Sequence, residues 1–169
     1  MYICNSEKYK YDKGYLHLPI TLDTQNLPQT IEVEGAILQL KTSFHVSLMF
    51  LKNQPEKTSE KILDLFCNFI NHNDVIFEGF TGEFCFAQRE EDGRKSLVGM
   101  CTVSNLNTFF DMVNEELNLN FQYQPTHVSL YTLTLNEAIG LNSKEELERL
   151  SYDVSNKLSQ EFVNIITIN

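Results

Sequence analysis

The sequence predicts an α+β fold with two similar lobes, in which duplicated antiparallel sheets carry helices outside and a central cleft holds two His-x-Ser motifs. The first observation is a tetrapeptide that occurs twice, His45-Val46-Ser47-Leu48 and His127-Val128-Ser129-Leu130, each within an apolar run typical of strands. The second is the order of elements, a strand, a helix and strands that then recur in the same order. We therefore expect one domain over residues 1–169, with lobe one at about 31–90 and lobe two at about 95–169.

In the first lobe, short apolar runs and a helical spacing of apolar residues give the expected elements. A short edge strand is predicted at Tyr15–Ile20, where Pro19 is tolerated. Two strands that would pair are predicted at 31–40 and 43–51, with Gly35 marking a bulge in the first. A helix should begin at an N-cap formed by Thr58 or Ser59 and end near His72.

The second half of the chain repeats the alternation of strands and helices. Strands are predicted at 75–80 and 83–90, followed by a turn at 91–93 and a returning strand at 95–103. The remaining expected elements are a helix capped by Asn105 and ending near Leu117, the second motif strand at 128–135, a helix from the capping box Ser143–Glu146 to about Leu158, and a closing strand at 162–168.

The repeated tetrapeptide places chemistry on its two strands. Successive side chains of a strand alternate between faces, so His45 shares a face with Ser47, and His127 shares one with Ser129. Two such strands side by side give a cleft with two imidazoles and two hydroxyls. Imidazole titrates near neutral pH, so that one ring can act as a base and the other as an acid, while hydroxyls can hold the oxygens of a phosphate. This combination indicates phosphodiester chemistry.

The two His-x-Ser motifs, about eighty residues apart, resemble those of the two-histidine (2H) phosphoesterase superfamily, which includes 2′,3′-cyclic nucleotide phosphodiesterases and 2′-5′ RNA ligase-like proteins. The similarity extends from about Ala36 to the C-terminus and depends on the two motifs. It implies an enzyme that cleaves a phosphodiester without metal or cofactor, with His45, His127, Ser47 and Ser129 as its catalytic residues. The implied substrate is a nucleotide or short RNA, with a 2′,3′-cyclic phosphate or a 2′-5′ or 3′-5′ linkage.

Two further residues are candidates for substrate binding. Tyr131, with Met49 on the other strand, would extend the histidine face by one step, where its ring could stack on a base; the alternative is an ordinary sheet aromatic. Arg89 lies in a basic hairpin and could reach a substrate phosphate, unless the hairpin tip is simply solvated. His17, which has no hydroxyl partner at the same spacing, and His72 are predicted to be structural.

Composition limits the partners and the compartment. A formal net charge of −10 argues against binding of long nucleic acid, which requires many Lys and Arg contacts to phosphates. The four cysteines form no CxxC pair, so we expect reduced, buried thiols and no zinc site. The polar start of the chain and the absence of a long apolar run predict a cytoplasmic protein that does not enter the membrane. We also expect it to be a monomer.

Other functions remain open at the level of sequence. The cleft could bind a nucleotide or cyclic oligonucleotide without turning it over, or the chain could be an unrelated α+β interaction domain. Within the enzyme interpretation, the motifs do not distinguish hydrolysis from cyclising cleavage or ligation. They also do not assign which histidine is the acid and which the base.

Overall fold

The computed structural model describes residues 3–5 and 7–169. In that part of the chain there are nine strands and four α-helices, which confirms the predicted α+β class. The strands are β1 (Lys10–Asp12), β2 (Tyr15–Ile20), β3 (Thr30–Val33), β4 (Ala36–Leu40), β5 (Phe44–Phe50), β6 (Phe77–Arg89), β7 (Arg94–Val103), β8 (His127–Thr132) and β9 (Ser151–Asp153). The helices are α1 (Glu56–Phe69), α2 (Leu106–Leu117), α3 (Lys144–Leu150) and α4 (Gln160–Thr167).

All nine strands of the described chain belong to one antiparallel sheet. Its main path runs β1-β2-β5-β8-β7-β6-β9, so that the two motif strands, β5 and β8, are neighbours at its centre. The β3–β4 hairpin joins through β4, which pairs with the far end of β8. The centre of the sheet is therefore built from strands that lie far apart in sequence.

The region before the first motif strand differs from the prediction. Instead of one strand with a bulge at Gly35, β3 and β4 form a hairpin in which Val33 pairs with Ala36. Glu34 and Gly35 both have positive φ, 52° and 76°, as a two-residue turn between twisted strands requires. The predicted pairing of 31–40 with the first motif strand, 43–51, is also wrong. The hairpin strand β4 pairs with β3 and with β8, the second motif strand, and not with β5.

The strands β6 and β7 form a long hairpin, with a register that runs from Phe77↔Val103 to Arg89↔Arg94. The strands predicted separately at 75–80 and 83–90 are thus one strand, irregular between Phe80 and Phe84. The expected boundary between the lobes falls at the tip of this hairpin. Because the hairpin continues the sheet there, the described chain has one continuous sheet rather than two separate ones.

Helix α1 begins earlier than the capping pattern predicted. Pro55 occupies the N-cap position, and its carbonyl oxygen already accepts hydrogen bonds from the backbone N–H groups of Thr58 and Ser59. These two residues are therefore inside the first turn and do not cap it. The helix also ends at Phe69, so that His72 lies exposed beyond it rather than in its last turn.

Helices α1 and α2 cover one face of the sheet with aromatic side chains. Phe66 and Phe109 meet edge to face with ring centroids 5.2 Å apart, and both are fully buried. Asn105 precedes α2 as predicted, but its side chain does not cap the helix. Its Nδ2 donates instead to the carbonyl oxygen of Asp74 at 2.8 Å.

Helix α3 starts at the predicted capping box. The Ser143 hydroxyl accepts a hydrogen bond from the Glu146 N–H at 3.1 Å, whereas the Glu146 carboxylate accepts one from the N–H of Asn142, one residue earlier than expected. The helix ends at Leu150 and not near Leu158, because the chain then enters β9 and pairs with β6.

The C-terminal segment is helical, and the strand predicted at 162–168 is wrong. Ser159 caps α4 by accepting a hydrogen bond from the N–H of Phe162 at 3.1 Å. Phe162 and Ile166, four residues apart, are the buried residues of the helix and pack into the main core. The short apolar run fits both structures, and the cap together with the i, i+4 burial favours the helix.

Two of the four cysteines are bonded, which corrects the expectation of four reduced thiols. Cys4 and Cys67 form a disulfide that ties the N-terminal segment to α1 across a sequence separation of 63 residues. Disulfides are typical of oxidising compartments, so this bond weighs against the predicted cytoplasmic location. Cys85 and Cys101 are free and buried, as expected, and burial raises the pKa of the Cys85 thiol to about 11. No helix in the described ranges has the length and apolar character needed to cross a membrane.

Candidate functional site

The two copies of the tetrapeptide lie side by side in the sheet. Val46 of β5 pairs with Val128 of β8 in an antiparallel register. His45 therefore lies toward Ser129, and Ser47 toward His127, since antiparallel neighbours run in opposite directions from a shared pair. The arrangement brings both imidazoles and both hydroxyls onto one face of adjacent strands.

The first motif strand contains a bulge directly after its serine. In the register with β2, Ser47 pairs with His17 and Met49 pairs with Leu16, which leaves Leu48 as an extra residue on β5. A bulge of this kind interrupts the regular alternation of faces. Met49 is consequently fully buried in the main core and does not continue the histidine face.

The second motif strand has the same irregularity at the same place. In the register with β7, Ser129 pairs with Val98 and Tyr131 pairs with Leu97, which leaves Leu130 as the extra residue on β8. The two copies thus share their sequence, their position relative to an outer neighbour and their bulge. The two segments therefore resemble each other in structure as well as in the four residues that they share in sequence.

Tyr131 does not reach the face on which the sequence pattern placed it. Beyond the bulge its side chain is fully buried in the main core, next to Phe162 at a centroid distance of 5.9 Å. Its hydroxyl donates a hydrogen bond to the carbonyl oxygen of Pro28 at 2.8 Å. The expected substrate contact of Tyr131 is therefore wrong, and the residue is a core aromatic with a satisfied hydroxyl.

The four motif side chains line one cavity of about 370 Å³, which we call the histidine cavity. His127 and Ser129 are nearly covered, with 6% and 8% of their surface exposed, and His45 and Ser47 are half-buried. Neither serine hydroxyl has a hydrogen-bond partner within the described ranges, so both can donate to a ligand. The histidine cavity is also lined by Asp12, Lys13, Tyr15, His17, Arg89, Arg94, Ala138, Ile139 and Gly140.

The ring of His127 is held by the backbone. Its Nδ1 lies 2.8 Å from the carbonyl oxygen of Pro125. A carbonyl can only accept, so Nδ1 carries the proton and Nε2 is the nitrogen left to act. Burial lowers the pKa of His127, the bond to Pro125 opposes this effect, and the charge of Lys41 adds to it. The imidazole is therefore neutral in the free protein, with its tautomer defined.

His45 is in a different environment. Burial, together with the nearby positive charge of Lys41 and the imidazoles of His17 and His127, lowers the pKa of His45 to about 4. Its ring has no hydrogen bond within the described part of the chain. It packs instead against the ring of His17, with centroids 4.6 Å apart and planes inclined by 33°. At neutral pH His45 is thus a neutral imidazole that can accept a proton.

His17 is the functional candidate that sequence reasoning missed. We expected it to be structural because no hydroxyl follows it at the motif spacing, yet it lines the histidine cavity and pairs with Ser47 in the sheet. The available signal was strand alternation. Leu16 and Leu18 are buried on the opposite face, which places the intervening His17 on the face of the cavity.

Arginine side chains form one rim of the histidine cavity. Arg89 lines it, and its guanidinium also donates to the Asp92 carboxylate, with an Nη2 to Oδ2 distance of 2.6 Å. Arg94 donates through Nη1 to the carbonyl oxygen of Ala138 at 2.9 Å and lies 3.2 Å from the same carboxylate. The two arginines surround one acid, which leaves the rim with net positive charge.

The charge lining the histidine cavity is opposite to that of the whole chain. The formal net charge of the chain is −10. The cavity, however, is lined by three positively charged residues, Lys13, Arg89 and Arg94, and by one negatively charged residue, Asp12. Such a concentration of positive charge favours a small anion over a neutral ligand. Among the residues described, no group of three or more His, Cys, Asp or Glu is arranged to hold a metal ion.

The chain matches no family model, and neither the curated proteins nor the solved structures contain a significant match to it.

Proposed function

We propose that this protein is a phosphodiesterase of the two-histidine type, acting on a nucleotide or on the terminal phosphodiester of a short RNA. The observation that carries the proposal is the placement of both motif histidines and both motif serines around one cavity by adjacent, antiparallel strands. The shared bulge supports a duplicated origin of the two motif strands, in agreement with the resemblance seen in the sequence.

The two imidazoles would take the complementary roles of base and acid. His45 is neutral and its ring is not hydrogen-bonded, which suits proton abstraction. The Nδ1–H of His127 is bonded to Pro125, so that its Nε2 can carry and release a second proton. Burial disfavours that charge in the free protein, but a bound phosphodiester would favour it because the anion lies beside the ring.

For a 2′,3′-cyclic phosphate, the reaction would proceed as follows. His45 removes a proton from a water molecule as the water oxygen bonds to phosphorus. The bond between phosphorus and one ribose oxygen breaks, and His127 gives its Nε2 proton to that oxygen. Ser47 and Ser129 donate hydrogen bonds to the non-bridging oxygens as negative charge develops on them. Exchange of protons with solvent then restores both rings.

An oligonucleotide with a free 2′-hydroxyl would use the same groups in a cyclising cleavage. In that case the hydroxyl replaces water as the nucleophile, and His45 takes its proton. The positive rim at Arg89 and Arg94 suits a substrate with an anionic group in addition to the scissile phosphate. A small nucleotide or an RNA end fits the cavity volume of about 370 Å³, whereas a long duplex does not.

The test is hydrolysis of a panel of nucleoside 2′,3′-cyclic phosphates, 2′-5′ oligoadenylate, short 3′-5′ oligonucleotides and cyclic oligonucleotides, in excess chelator. Wild-type protein is compared with His45→Ala and His127→Ala, and His72→Ala serves as the control because its side chain is exposed and outside the cavity. We expect each cavity variant to lower kcat by ~10²–10⁴-fold and the control to be unchanged.

The outcomes separate the possible functions. Chelator-resistant turnover that both cavity variants lose supports the two-histidine mechanism. A nucleotide that raises the Tm without being cleaved would favour a binding module instead. Cleavage that survives both substitutions would place the active site elsewhere and overturn the proposal.

A further inference from the structure

The histidine cavity contains a third imidazole that the two-histidine chemistry does not use. His17 lies on β2, which pairs with β5 so that His17 is opposite Ser47, and its ring packs on that of His45 at a centroid distance of 4.6 Å. The second motif strand has no such neighbour, because Val98 occupies the corresponding position opposite Ser129. The asymmetry between the two otherwise matching motif strands is therefore located at His17.

We propose that His17 is a positioning residue, which holds the ring of His45 in place and makes His45 the base of the catalytic pair. This inference rests on the proposed function, because it concerns His45, the base of that reaction. The inference goes beyond the proposed function by giving the site a third functional side chain.

His17 restricts His45 sterically. His127 is oriented by its hydrogen bond to the Pro125 carbonyl, whereas the ring of His45 has no hydrogen bond in the residues the structure describes. The ring of His17 lies against that of His45, with planes inclined by 33°, and a packed ring at this distance restricts rotation of His45 about its side-chain bonds. Loss of that contact would let the imidazole turn away from the reacting oxygen, and a small misplacement is costly in rate.

His17 also acts on His45 electrostatically. Two imidazolium rings in contact repel each other, so protonation of His17 opposes protonation of His45. Burial is the main cause that lowers the pKa of each ring, and each also has charged neighbours. Asp12 raises and Lys10 lowers the pKa of His17, while Lys41 and His127 act on His45 in the same direction as His17 does.

The experiment follows the ring-proton NMR signal of His45 as a function of pH in wild type, His17→Ala and His17→Phe. Alanine removes both the packed ring and the charge, and phenylalanine keeps a packed ring that cannot be protonated. We expect the pKa of His45 to rise above about 4 in His17→Ala and by a smaller amount in His17→Phe, while burial and Lys41 continue to hold it below its ordinary value. His72→Ala is the matched control, since it removes an exposed imidazole.

Kinetics on the substrate found in the panel give the second readout. We expect His17→Ala to lower kcat by ~10–100-fold and to move the acid limb of the pH–rate profile upward, with His17→Phe recovering most of kcat because the ring contact is kept. Equal losses in both variants would mean that His17 itself acts on the substrate, which overturns the positioning role.

The NMR titration separates this inference from the proposed function. If His45 titrates in His17→Ala as it does in wild type, the inference fails whatever the activity is. If the His45 signal shifts as expected and wild-type protein cleaves nothing, the control of His45 by His17 is supported and the proposed phosphodiesterase function is what fails.

Discussion

Val46 of β5 pairs with Val128 of β8, and the two residues occupy the same place in the two copies of the repeated tetrapeptide. This pairing relates the motif strands by a local twofold axis, so that each histidine lies toward the serine of the other copy. Two segments about eighty residues apart thereby form one site.

The buried histidines should make stability depend on pH. Since the pKa of His45 is about 4 in the folded protein and 6.5 ordinarily, the unfolded chain binds more protons between these values. The contribution of neutral His45 to stability is therefore complete above about pH 6.5 and is lost as the pH falls to about 4, by at most ~3 kcal/mol. His17 and His127 act in the same direction.

Urea unfolding of wild type and His45→Gln across this pH range measures the effect as a difference. The comparison removes the general influence of the acidic net charge, which both proteins share. We expect the stability of wild type to fall more steeply than that of His45→Gln as the pH decreases. His72→Gln should follow wild type, and parallel curves for wild type and His45→Gln would contradict the prediction.

The arginine rim should affect substrate binding more than chemistry. Replacing Arg94 by Ala removes a cation that lines the histidine cavity, so we expect KM for an anionic substrate to rise by about 10-fold while kcat changes little. The matched control is Lys144→Ala, which removes the same charge from a side chain that is 85% exposed. Equal effects of the two substitutions would indicate a general electrostatic influence and no specific rim.

The disulfide should stabilise the fold without contributing to catalysis. Cys67 belongs to α1, which packs against the main core, and neither bonded cysteine lines the histidine cavity. Closing a loop with a separation of 63 residues is expected to contribute about 2–4 kcal/mol, so Cys4→Ser should lower the free energy of unfolding by that amount. Activity below the unfolding transition should be unchanged. A reductant should destabilise wild type and leave Cys4→Ser unaffected.

Tyr131 offers a direct test of the bulge in β8. Tyr131→Phe removes the hydrogen bond to the carbonyl of Pro28, an exposed residue whose oxygen water can then reach, so it should cost about 0.5–1.5 kcal/mol of stability. The phenol does not line the histidine cavity, so kcat and KM should match those of wild type. An increase in KM without loss of stability would instead place the hydroxyl on the substrate.

Much of the local structure could be predicted because it depends on neighbouring residues. The alternation of His45, Val46 and Ser47 predicts which side chains share a face, and the capping box at Ser143 predicts the start of α3. The prediction of Tyr131 failed through a bulge, a feature of pairing with β7 that its own strand does not reveal. The C-terminal helix was missed because its short apolar run fits the periodicity of a strand as well as that of a helix. The joint burial of Phe162 and Ile166, four residues apart, distinguishes the two.

By itself, the sequence determined the α+β class, the strand character of the two motifs and the pairing of one imidazole with one hydroxyl on each, because these follow from short-range periodicity and side-chain chemistry. Only the tertiary structure decided that β5 and β8 are neighbours, that His17 packs on His45 and that Cys4 bonds Cys67. Such contacts join residues far apart in the chain. The burial and hydrogen bonding of the whole sheet select these contacts, and a local sequence pattern does not predict them.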